Sequence, residues 1–136
     1  MRIVSAMILS AALLSGCGAF GGIERSNRES LLSRYEPYVG APIDSFTALR
    51  TDSWQPISRT QLVLWTTMND AYLLTVANNC PELPFANRVG VTSSTSTISR
   101  LDAVLVRGDR CPIVQIQPID VRQMRADRHA RAREDA

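Results

Sequence analysis

The sequence predicts a mainly β domain, a small antiparallel barrel or strongly curved sheet of five to six strands, with a short N-terminal helix and a C-terminal helical tail. Short apolar runs of period two follow one another from Trp54 to Gln117, each bounded by Gly, Pro, Asn or Asp. Stretches of helical period, residues 28–39 and from Asp120 onward, lie outside those runs. Two cysteines, Cys80 and Cys111, fall inside the strand-rich part, where one bond would tie it together.

The chain opens with Arg2 and an apolar segment over residues 3–14, interrupted only by Ser5 and Ser10. That length suits the apolar region of an export signal and falls short of the roughly 18 residues that span a bilayer. Directly after it, Leu14-Ser15-Gly16-Cys17 resembles the lipobox of a bacterial lipoprotein precursor. The resemblance implies a signal peptide over residues 1–16, cleavage before Cys17, and acylation of that residue on its thiol and its new amine. Each buried methylene contributes about 0.8 kcal/mol, so two or more acyl chains hold a protein on a membrane where one does not. Gly18 in place of an aspartate after the cysteine implies delivery to the outer membrane, facing the periplasm.

Removing residues 1–16 leaves 120. A chain of that size forms one domain that buries roughly two-thirds of its surface. All 15 basic residues are arginines; once Arg2 is gone, 14 stand against 13 carboxylates. Such a near-balance, in an exported protein, predicts no nucleic-acid partner. With Cys17 consumed by lipid, Cys80 and Cys111 remain as a pair in an oxidising compartment. A disulfide closing a loop of about 32 residues would add roughly 3 to 4 kcal/mol in the chain-entropy model. A metal site or a reactive dithiol are the alternatives, but no histidine stands near either cysteine and there is no Cys-x-x-Cys pair.

The elements follow in order. Residues 17–27, Gly-rich and then charged, read as a lipidated tether, and residues 28–121 as the single disulfide-bonded domain. Leu31, Leu32, Tyr35, Tyr38 and Val39 place an apolar stripe on a helix over residues 28–39, which Gly40 ends. Residues 40–46 read as a turn-rich entry in which Asp44 or Ser45 caps a further turn. Residues 54–57 read as a strand that Pro56 keeps at an edge. Residues 61–67 and 71–76 form a hairpin around Met68-Asn69-Asp70, with Tyr72, Leu74 and Val76 on one face. Three more strands are predicted over residues 88–93, 97–106 and 111–117, the last two joined by a tight Gly108-Asp109 turn. A helix begins at Asp120, with Val121 and Met124 its last large apolar residues. Arg122, Arg125, Arg128, Arg131 and Arg133 make residues 122–136 a basic, solvated tail, partly helical or disordered.

Several of these blocks together resemble a family of small exported bacterial proteins known as a domain of unknown function. The likeness covers roughly Tyr35 to Asp120 and rests on Gly40-Ala41-Pro42-Ile43-Asp44-Ser45-Phe46, Trp54, Leu64-Trp65-Thr66, Tyr72-Leu73-Leu74, Cys80-Pro81-Glu82-Leu83-Pro84-Phe85-Ala86, and Cys111 with Ile113, Ile116, Pro118 and Asp120. Pro112 and Leu101 depart from its pattern. The resemblance implies the fold and the compartment and brings no activity with it.

Residue chemistry narrows the function by exclusion. His129, the only histidine, stands among arginines with no partner in sight, and the Ser/Thr-rich residues 91–99 carry no Gly-x-Ser-x-Gly elbow. Arg107-Gly108-Asp109 matches a cell-attachment tripeptide, but Gly-Asp is ordinary hairpin chemistry. Asp44, Asp102 and Asp120 read as capping or turn residues rather than as a carboxylate cluster. The sequence therefore predicts no enzyme, no cofactor and no metal. It predicts a module anchored to the membrane through lipid on Cys17 that serves an envelope protein partner. The alternative is a small-ligand binder whose pocket is lined by Trp54, Trp65 and Tyr72, residues that otherwise belong to the core.

Overall fold

The computed structural model describes residues 31–77 and 80–136. The expected signal peptide, the expected lipidation at Cys17 and the expected tether all lie outside the described residues. Helix α1 is described over residues 31–35 and runs into a 3-10 turn, Glu36–Tyr38. Eight strands follow: β1 (Ser45–Thr47), β2 (Ser53–Pro56), β3 (Gln61–Trp65), β4 (Ala71–Val76), β5 (Val89–Val91), β6 (Thr97–Ser99), β7 (Ala103–Val106) and β8 (Asp109–Ile119). A 3-10 turn at Leu83–Phe85 lies between β4 and β5, and helix α2 (Val121–Glu134) ends the chain.

Six strands form a nearly closed, barrel-like antiparallel sheet in the order β2-β3-β4-β8-β7-β5. β8 is its spine: the first part pairs with β7 and the remainder with β4. On the flank that β7 leaves, the entry segment bridges β8 at Val39–Ile119 and Ile43–Ile116, then continues as β1, which pairs with β6.

Side-chain alternation produces two cores. Leu62 and Leu64 of β3, Leu74 and Val76 of β4, Val104 and Val106 of β7 and Ile113 and Ile116 of β8 point into the barrel with Phe46, Leu83 and Ile98. The opposite residues, Val63, Leu73 and Ile119, point outward and are covered by Tyr35 of α1 and by Val121 and Met124 of α2. Both faces of β3 and β4 are therefore apolar, and the two helices keep the outer face from water.

Ile113 and Ile116 are an odd number of residues apart, yet both point inward. The register explains it: Thr75 faces Gln115 and Val76 faces Ile113, so Val114 is an extra, bulged residue. A bulge bends the strand and lets one long β8 serve both halves of the barrel.

The structure departs from the sequence reading in three places. The run over 97–106 is two strands, because Arg100–Asp102 make a turn: the Asp102 carboxylate accepts from the Ser99 amide at 2.9 Å and from its hydroxyl at 3.1 Å. Residues 45–47 are a strand rather than a capped turn, since β6 supplies their backbone partners. The β7–β8 turn is centred on Arg107 and Gly108, with φ of 51° and 90°, and Asp109 already belongs to β8. Two successive positive φ values match the right-handed twist of a hairpin, and Gly108 supplies one without strain. The C-terminal helix agrees with the reading: it starts from Asp120 as its N-cap, whose carboxylate accepts from the Gln123 amide at 3.0 Å, and it runs through Glu134.

Candidate functional site

Where β1 runs past the β3–β4 hairpin, the inner core stops short of the surface and leaves an open groove of about 810 Å³. Its floor is the ring of Phe46, buried, stacked on the half-buried ring of Tyr72 with centroids 3.9 Å apart and planes 15° off parallel. Phe46 comes from β1 and Tyr72 from β4, so the stack depends on the β1–β6 pairing that holds β1 over the barrel mouth. One wall is Thr47, Ala48, Leu49 and Arg50; the other is Thr66, Thr67 and Asp70.

The polar groups of the groove are set by the hairpin turn. Thr67 donates its hydroxyl to the Asp70 carboxylate at 2.7 Å and accepts from the amides of Asn69 and Asp70, both at 3.1 Å. The Thr66 amide donates to the Asp70 carbonyl at 3.0 Å. This closed network fixes Asp70 and commits part of its carboxylate to the turn. Opposite it, Arg50 makes no ion pair with any described residue and is exposed at the lip. The Tyr72 hydroxyl likewise has no hydrogen-bond partner among the described residues. Burial, and secondarily the Asp70 charge, push its pKa above the ordinary 10.0, so it stays a protonated donor.

The three aromatics expected to line a pocket do not meet in one: the pleat turns Trp65 to the outer face, and Trp54 and Tyr72 share the inner face on either side of Leu64, with only Tyr72 lining the groove. Tyr72 is in the groove floor. Trp54 faces Leu64 across the strand pair and packs on the inner core, while Trp65 faces Ser53 and packs under the helices on the outer core. The groove's second ring comes instead from Phe46, which the sequence placed in a turn. The alternation of Ser45-Phe46-Thr47-Ala48 was its only signal, and four residues is a short run.

Cys80 and Cys111 are bonded, S–S 2.05 Å, and both are buried in the inner core. Asp44, Asp102 and Asp120 do not form a cluster of their own. Asp44 pairs with Arg100 at 2.6 Å, Asp102 accepts from Ser99 and Thr92, and Asp120 caps α2. Arg107 of the cell-attachment tripeptide pairs with Glu82 at 2.8 Å. His129 is exposed on α2. Among the described residues, no group of three or more His, Cys, Asp or Glu could hold a metal ion.

A family model matches residues 1–135, so the chain belongs to that family, a family of unknown function (DUF6491). No curated protein and no solved structure matches it.

Proposed function

We propose that this member of the family is a lipid-anchored, ligand-binding module of the bacterial cell envelope whose working site is the Phe46–Tyr72 groove. The anchor rests on Leu14-Ser15-Gly16-Cys17, and the ligand reading rests on one observation: a groove of about 810 Å³ floored by a stacked aromatic pair. Ligand sites of roughly 300–1,000 Å³ with apolar walls and a few convergent polar groups are the usual size for small organic molecules. The chemistry that fits is amphipathic. A flat apolar part lies on the Tyr72 ring against Ala48 and Leu49, its acceptor meets the Tyr72 hydroxyl, and an anionic end reaches Arg50.

A second reading, an accessory module docking an envelope protein, is favoured by Leu49 at the groove lip and Met68 on the β3–β4 loop, 91% and 72% exposed. One experiment separates the two. A photo-reactive residue is placed at Thr47, at Thr67 or, as a control, at Arg110 in the full chain in intact cells, and adducts are weighed by mass spectrometry. A recurrent small-molecule adduct at both groove positions and absent at Arg110 is the expected result. A recurrent protein adduct from the groove would replace the ligand reading by the docking one. Adducts no different from those at Arg110 would overturn both.

A further inference from the structure

We propose that the cleft between α1 and α2 is a binding site for a phosphate-type oxyanion, held by the guanidiniums of Arg34, Arg128 and Arg131. The cleft is independent of the groove, being built on the outer core. It has a volume of about 380 Å³, and Tyr38 and Met124 line it with those arginines. Met124, Arg128 and Arg131 lie at i, i+4 and i+7 on α2, one face of the helix. Burial of Met124 against α1 therefore turns Arg128 and Arg131 toward Arg34.

Folding brings these charges together without pairing them. None of the three arginines makes an ion pair with a described residue, whereas Arg100 and Arg107 do. The carboxylate beside them, Asp127, keeps its charge but pairs with none of them: it accepts from the Tyr38 hydroxyl at 2.8 Å and from the Gln123 side-chain Nε2 at 2.7 Å, and three guanidiniums against one carboxylate leave the cleft positive. Arg131 sits 3.5 Å from the same Tyr38 oxygen. The field is felt underneath as well. Burial raises the Tyr35 hydroxyl, and the charges of Arg128 and Arg34 act against that rise, as two cations near one phenol do.

Three like charges around one small concavity repel one another, and an anion bound between them removes that repulsion. Guanidinium forks match tetrahedral phosphate oxygens two at a time, and the Tyr38 ring supplies an apolar side wall. The same chemistry is offered by the headgroup of an anionic phospholipid and by a soluble phosphate.

The test uses the full chain in maltoside micelles and reads the arginine Nε–H resonances by nuclear magnetic resonance. Inorganic phosphate is titrated against chloride at equal ionic strength, and phosphatidylglycerol is doped into the micelles against phosphatidylcholine. Saturable shifts of Arg34, Arg128 and Arg131 are expected. The pair R34Q/R128Q should weaken the apparent Kd at least tenfold, and R122Q/R133Q, which removes equal charge from outside the cleft, should change it less than twofold. A response to phosphatidylglycerol alone assigns the lipid headgroup, a response to phosphate alone assigns a soluble ligand, and a response to both supports the site with either source. No saturable shift, or equal weakening by R122Q/R133Q, would overturn the proposal.

Discussion

Reducing the Cys80–Cys111 bond should destabilise the domain through its unfolded state while leaving its native pairing intact. The reason lies in the register. Val76 of β4 already faces Ile113 of β8, so the strands on either side of the bond are hydrogen-bonded neighbours without it, and the Cys80 amide donates to the Arg59 carbonyl at 2.9 Å. The native fold has little need of the crosslink, but the unfolded chain loses a loop closure over a separation of 31 residues. The chain-entropy relation gives about 3.7 kcal/mol at 25 °C for a loop of that length. For a domain of this size each kcal/mol moves Tm by about 4–8 °C, so reduction should lower it by about 15–30 °C. The assay is urea and thermal unfolding by circular dichroism, with and without a phosphine reductant. The far-UV spectrum of the reduced protein should be unchanged at low temperature, and its urea m-value should rise because the uncrosslinked chain exposes more surface. A shift below about 5 °C with an unchanged m-value would refute the reasoning.

Two further outcomes are expected. Asp120→Ala removes the acceptor of the Gln123 amide at the start of α2 and should cost about 1 kcal/mol, largely restored in Asp120→Asn; urea unfolding monitored by tryptophan fluorescence checks both. Tyr35, Tyr38 and Tyr72 all have pKa values raised above 10.0, by burial at Tyr35 and Tyr72 and by the hydrogen bond to Asp127 at Tyr38. Below pH 10 both folded and unfolded states keep these protons, so the stability is undiminished there. Above it the unfolded chain loses them first, and stability falls as pH rises. Tyrosinate absorbance should therefore rise later in the native protein than in urea, and coincident curves would contradict the buried and bonded phenols.

Much of this fold was legible because a strand that serves two cores reads as a short, nearly continuous apolar run bounded by turn residues. Residues 61–65 and 71–76 announced the β3–β4 hairpin, and Tyr72, Leu74 and Val76 do share the inner face. Pro56 does end an edge strand. The failures are equally specific. The run over 97–106 looked continuous because the turn inside it is made by the Asp102 side chain, which sequence periodicity does not register. The bulge at Val114 was invisible because an inserted residue is defined only by its partner strand. Phe46 was missed because a three-residue strand gains its identity from β6, about 50 residues away in the chain. The groove was misread for the same reason, since which rings share a face is decided by register as well as by composition: Trp65 and Tyr72 differ by one step of the pleat.

The two-faced sheet also explains why the helices sit at opposite ends of the chain and what that leaves free. β3 and β4 bury Leu62, Leu64 and Leu74 inward but also turn Val63 and Leu73 outward, where no other strand covers them. α1 and α2 converge there, with Tyr35, Val121 and Met124 filling the outer core. Because that covering is done from outside, the barrel mouth needs no plug, and β1 closes it only partly, leaving the half-buried Tyr72 ring reachable over the buried Phe46. The same convergence forces Arg34 against Arg128 and Arg131, since the apolar faces of the two helices are short and their next residues are arginines. The groove and the arginine cleft thus arise from one cause, the apolar outer face of β3 and β4. A charge substitution at Val63 or Leu73 would be expected to disturb the cleft by displacing α2 before it disturbed the groove.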